Sequence, residues 1–199
     1  MKQVEGSVCS ILLVTRFLFI IAVYFLLGCS GKRQVKSDAG GAERRLPGVD
    51  SLLLINEITH NFSSVSEEDT FRIYVAGSSI TKGEFHFQII TSKNKVIYDE
   101  SLETTWLLDF DADGDTTENE KENYIRRRIE DFFDEDNFMK PAISASDSYE
   151  ADYSDKLIWD EIKSDSTSIG FYYLVGKEDG RRIAYSKRSK NVVLYYNCC

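Results

Sequence analysis

The chain has 199 residues, 33 of them acidic and 24 basic, a formal charge of −9, with 42% apolar and 29% charged types. That balance excludes a collagenous or low-complexity chain and a multi-span membrane protein. It also argues against a nucleic-acid partner, because phosphate contacts require a basic surface.

Residues 17–27 (FLFIIAVYFLL) form an unbroken apolar run behind Lys2 and Arg16. In a helix such a run rises about 16 Å, roughly half a hydrocarbon core, which suits a signal-peptide core better than a spanning helix. It ends at Leu26-Leu27-Gly28-Cys29. This stretch resembles the lipobox of bacterial lipoprotein precursors. The resemblance implies a signal peptide over residues 1–28, cleavage after Gly28, lipid on the Cys29 thiol and acylation of the new amino group. It implies in turn a cell-envelope lipoprotein whose domain is exported from the cytoplasm. Ser30 is not a retention acid, so by the same resemblance the outer membrane is favoured. The other reading is an uncleaved anchor helix in which Cys29 is incidental; in both, the chain is tethered to a membrane.

Residues 29–50 hold few apolar side chains and a Gly-Gly pair, and read as a flexible tether of about 20 residues spanning roughly 25 Å on average. Its Lys32, Arg33, Lys36, Arg44 and Arg45 either rest on anionic headgroups or simply solvate the linker. Residues 51–199 are then long enough for a single globular domain.

Within that domain, Phe71, Ile73 and Val75 alternate with polar neighbours, as do Phe85, Phe87 and Ile89, and each set predicts a strand. A turn at residues 92–95 leads into Val96-Ile97-Tyr98. Residues 171–175, 182–185 and 192–196 predict a three-stranded meander. Between these groups Ile125, Ile129, Phe132 and Phe133 recur at helical spacing, which predicts a helix over about 118–134, started by a Thr117/Glu120 capping box. A shorter helical turn over 155–163 would bury Ile158, Trp159 and Ile162. The class is α+β: one mainly antiparallel sheet of about six strands with the main helix packed on it.

Sequence motifs for catalysis are sparse. The chain contains neither HExxH nor GxSxG, and its histidines, His60 and His86, lie far apart. Residues 75–83 (VAGSSITKG) lack the GxxxxGK[ST] order of a phosphate loop and read as a strand connection. Cys9 departs with the signal and Cys29 would carry lipid, which leaves Cys198 and Cys199. Their Cα atoms are about 3.8 Å apart, too close for an unstrained bridge. They form a redox pair, an intermolecular link or two idle terminal thiols.

One stretch is complete as a motif. Asp109, Asp111, Asp113, Gly114 and Glu120 satisfy D-x-D-x-D-G-x5-E immediately before the predicted helix. This loop resembles the calcium loop of EF-hand proteins. The resemblance implies side-chain ligands from Asp109, Asp111 and Asp113, a backbone carbonyl from Asp115, a water relayed by Thr117 and a bidentate Glu120, matching the oxygen-rich shell Ca²⁺ takes. No second loop exists to pair with it. The other reading is a polar Asp/Gly turn whose Glu120 only caps the helix.

Together these features predict a membrane-anchored exported lipoprotein with a binding or structural role, no catalytic activity and one Ca²⁺ as its only cofactor. Two alternatives stand beside it: an inhibitor or immunity-type lipoprotein that blocks a protein partner, and a carboxylate-dependent hydrolase, which would need two acids about 5–10 Å apart in a cleft.

Overall fold

The computed structural model of the protein describes residues 51–108 and 116–198. The first sheet is an antiparallel meander of β1 (Leu52–Asn61), β2 (Glu68–Ala76), β3 (Glu84–Ile90) and β4 (Val96–Glu103). The second is equally antiparallel, in the order β5 (Phe138–Met139), β6 (Gly170–Val175), β7 (Asp179–Ser186) and β8 (Asn191–Cys198). Helix α1 (Glu118–Glu130) precedes β5, and α2 (Lys156–Ser164) separates β5 from β6.

The α+β class is as expected, but a single sheet of about six strands is not what forms. There are two sheets of four strands each. Alternation tells which face of a strand is apolar; it does not tell which strands share hydrogen bonds. Here each group keeps to itself and buries its apolar face against the other group's. In the first sheet Phe71 pairs with Ile89, Ile73 with Phe87 and Val75 with Phe85, and all six are fully buried. Phe171, Tyr173, Val175 and Ile183 of the second sheet belong to the same core. Ring centroids 5.4 Å apart join Phe71 to Phe171, and Phe87 to Tyr173, across the gap.

Helix α1 starts where the sequence places it and stops earlier. Thr117 caps its start, and Asp131 closes its end by donating its backbone N–H to Arg127. Asn56 of β1 donates from Nδ2 to the carbonyls of Ile129 (2.8 Å) and Glu130 (3.2 Å), satisfying groups that a helix terminus leaves open. Ile125 and Ile129 face the core from the helix, whereas Phe132 and Phe133 reach it from the turn beyond. Four residues at helical spacing therefore serve one core from two kinds of backbone.

The second sheet is covered on both faces. Helix α2 is capped by Asp155, whose Oδ1 accepts from Leu157 N (2.8 Å) and Ile158 N (3.1 Å). It packs Trp159 and Ile162 with Ala142, Ile143, Ala184 and Tyr195 in a smaller cluster on the outer face. An irregularity in the β7–β8 register leaves Tyr195 unpaired between Leu194 and Tyr196. That extra residue lets Tyr195 and Tyr196 both serve the outer face. Tyr195 then donates its hydroxyl to the Ala142 carbonyl at 2.7 Å.

Candidate functional site

Cys29 and the loop residues Asp109, Asp111, Asp113 and Asp115 lie outside the described residues. Thr117 and Glu120 lie inside them and form a reciprocal cap. Glu120 Oε2 accepts from the Thr117 backbone N–H and from its hydroxyl, both at 2.8 Å, while Glu120 N donates back to Thr117 Oγ1 at 3.3 Å. The backbone N–H of Thr117, and then its hydroxyl, hold the Glu120 carboxyl below its ordinary range. Among the described residues no three His, Cys, Asp or Glu side chains gather in a group that could hold a metal ion.

The histidines are packing groups. His60 stacks on Phe138 with centroids 3.9 Å apart, and His86 stacks on Tyr74 at 4.5 Å. Both rings lie nearly parallel to their partners, which fixes them as plates between strands or sheets.

A polar cluster that sequence reasoning missed ties the two sheets together. Tyr98 and Glu100 stand on the apolar face of β4, opposite Ile89 and Phe87 in the ladder. From the other sheet come Tyr173, Asp179 and Arg181. The hydroxyls of Tyr98 and Tyr173 lie 2.7 Å apart and within 3.2 and 2.8 Å of Glu100 Oε2, so their two protons serve two of these three contacts at a time. Arg181 donates one arm to Glu100 Oε1 and grips Asp179 with two others, at 3.0 and 2.6 Å. The Glu100 and Arg181 side chains are only 17% and 18% exposed. Each donor here is aimed at an acceptor within the cluster, so the arrangement is a clamp between sheets. It also places a charge inside an edge strand, which hinders pairing with a foreign strand. The sequence did carry a sign of it, since Glu100 occupies an apolar-face position between Tyr98 and Leu102.

Burial, and then the neighbouring Glu100 or Tyr98 charges, push Tyr98 and Tyr173 above the ordinary tyrosine value of 10.0; burial does the same to Tyr195. A group whose folded value is raised contributes its full stability below the unfolded value and loses it as pH climbs through the folded one. Stability is therefore expected to fall above pH 10, by up to about 1.4 kcal/mol per unit for each of these tyrosines. Tyrosinate absorbance should rise for them together with loss of circular dichroism. Titration of every tyrosine near pH 10 with the fold intact would contradict this.

The outer face of the second sheet presents a different arginine. Arg181 and Arg182 are adjacent in β7, so they project to opposite faces. Arg182 lies in a cross-strand row with Tyr172 of β6 and Tyr196 of β8. Its guanidinium carbon is 4.9 Å from the centre of the Tyr196 ring, inside cation–π range. Its Nε is buried and has no hydrogen-bond partner. Among the described residues no carboxylate pairs with it. The row floors an open hollow of about 330 Å³ that α2 leaves uncovered. Gly180 helps to make the hollow: a Cβ there would sit 3.2 Å from the Tyr172 hydroxyl.

Comparison with known proteins finds no matching family model, no matching curated relative and no matching solved structure. The class these observations define is an α+β domain of two facing antiparallel sheets, clamped inside by Glu100 and Arg181 and hollowed outside at Arg182.

Proposed function

We propose that the chain is an exported lipoprotein, held at a membrane by lipid on Cys29, whose folded domain binds a ligand and does not transform it. The observation that carries this reading is the apolar run closed by Leu26-Leu27-Gly28-Cys29, followed by about 20 tether residues before β1 begins at Leu52. In support of binding, the enclosed Glu100 is committed to Arg181 and two tyrosines, while Arg182 lines the outer hollow and no carboxylate among the described residues is ion-paired with it. Among the described residues no helix is long and apolar enough to cross a membrane. On this reading lipid on Cys29 supplies the attachment, and more than one acyl chain makes it stable. Ser30 directs the mature protein to the outer membrane on this reading.

Mass spectrometry of the membrane fraction should find an acylated peptide beginning at Cys29, and Cys29→Ala should leave the signal segment uncleaved and unlipidated. Intact residues 1–28 in the wild-type protein would overturn the proposal.

The same reading gives the loop of Asp109, Asp111, Asp113, Asp115, Thr117 and Glu120 one weakly held Ca²⁺. Hard oxygen donors suit the ion, but Glu120 Oε2 is already engaged by Thr117, so binding competes with the helix cap. A dissociation constant of about 10⁻⁴–10⁻³ M is expected, the range of extracellular modules. At about 10 mM Ca²⁺ the fold would gain roughly 1.4–2.7 kcal/mol, a rise of several degrees in Tm. Mg²⁺, which keeps its waters, should give much less. Glu120→Gln keeps a capping acceptor and should abolish the shift; an unchanged shift, or none in the wild type, would leave the loop a cap alone.

A further inference from the structure

The hollow on the outer face of the second sheet has a charge pattern that selects a ligand class. Arg182 lines it with a guanidinium whose Nε is buried and unpartnered, which leaves the two terminal amino groups as the donors a ligand can meet. Their parallel N–H groups match the two oxygens of a carboxylate. Asp136 and Glu178 stand on the same lining. Two carboxylates against one guanidinium make the lining net negative, which opposes a dianion such as phosphate and attracts an ammonium group. Met139, Tyr172 and Tyr196 supply the apolar remainder. The volume, about 330 Å³, lies at the small end of ligand sites.

We infer that this hollow binds a small zwitterion, a free α-amino acid or a short peptide. Its carboxylate sits on Arg182, its ammonium is turned toward Asp136 and Glu178, and its side chain lies against Met139 and Tyr172. The inference rests on the binding role proposed above, and it names the ligand chemistry for it. Gly180 is a positioning residue: without a Cβ it lets Tyr172 lie across the floor, and any side chain there would press on the Tyr172 hydroxyl.

The Arg182 Nε–H cross-peak in a nitrogen–proton correlation spectrum of the full chain in detergent reports on the site directly, and its assignment follows from its loss in Arg182→Gln. The probes are the twenty common L-amino acids one by one, then L-leucyl-L-leucine, L-leucinamide, N-acetyl-L-leucine and inorganic phosphate, each at millimolar concentration. The expected result is a saturable shift of that peak with at least one amino acid or with the dipeptide, and those two arms separate a free amino acid from a peptide. Leucinamide and N-acetylleucine, each lacking one charge, should bind about tenfold more weakly than leucine or the dipeptide. Arg182→Gln and Gly180→Val should each weaken binding about tenfold or more, read for these variants from the other amides of β6–β8. Gly180→Val leaves the charges in place and so guards against a fold defect in the arginine variant. No shift with any amino acid or the dipeptide would overturn the inference, as would phosphate shifting the peak more than either. Because the readout does not involve Cys29, it can fail while membrane attachment holds, and an unlipidated chain with an intact shift would count against the attachment alone.

Discussion

Replacing Phe132 with Ala is expected to cost about 3–5 kcal/mol, the range for a large aromatic truncated in a core that cannot collapse around the gap. Phe132 is 6% exposed and lies just past the end of α1, so helix propensity does not enter the loss. Its ring centroid is 5.6 Å from Phe85, 5.4 Å from Phe87, 6.0 Å from Phe171 and 5.6 Å from Tyr173. The first two neighbours belong to one sheet and the last two to the other. Removing the ring thus opens a void bordered by both sheets, and aromatic pairs add to the transfer loss. Ile129→Ala should cost about 2–5 kcal/mol on the same grounds. Leu157→Ala, at a residue 70% exposed, should cost less than about 0.5 kcal/mol and serves as the control. Denaturant melts with an unchanged slope would measure all three. Losses below about 0.5 kcal/mol at both Phe132 and Ile129 would mean that this stripe is not what joins the sheets.

The residues of that core were legible because they repeat. Phe71, Ile73 and Val75, or Phe85, Phe87 and Ile89, announce a strand and its buried face by period two alone. Turn spacing added four more strands, to make six of the eight, and helical spacing gave both helices. Strand β1 was not, since Leu52-Leu53-Leu54 opens it with an apolar run and Asn56 and His60 fall at half-buried positions. Those two polar residues are there for partners distant in sequence: Asn56 for the end of α1 and His60 for Phe138. Strand β5, with two residues, is defined only by its pairing to β6 and has no period to read.

Sites are harder to read than strands because they are assembled across sequence distance. The acidic loop before α1 is a contiguous pattern and was visible, yet what the structure shows of it is Glu120 bonded to Thr117. The Arg182 hollow depends on Tyr172, Gly180 and Tyr196 meeting through the β6–β7–β8 register, and on a single extra residue in β8 that sets the face of Tyr196. No local motif encodes that meeting. Arg181 and Arg182 are neighbours in the sequence, but strand geometry sends one into a clamp and the other to an open surface.

The clamp itself yields the other large effect. Arg181→Met is expected to destabilise the domain by about 2–4 kcal/mol, because it leaves Glu100 and Asp179 enclosed without their cation. The figure sits slightly below that for a fully buried pair because both side chains keep about a sixth of their surface in water. Arg181→Lys should recover only part of the loss. A single ammonium cannot hold Asp179 bidentately at 3.0 and 2.6 Å and reach Glu100 as well. Glu100→Gln should cost less than Arg181→Met: the amide still offers an oxygen to the paired hydroxyls of Tyr98 and Tyr173, and Arg181 keeps Asp179. The double variant Glu100→Gln/Arg181→Met removes both members of the inter-sheet pair. Its loss should fall short of the sum of the single losses by at least about 1 kcal/mol, the mark of residues in direct contact. Losses that add within about 0.3–0.5 kcal/mol would show instead that water already screens the two charges. Phe132 would then hold the sheets together without help from this edge, and Glu100 would be free to act on something other than Arg181.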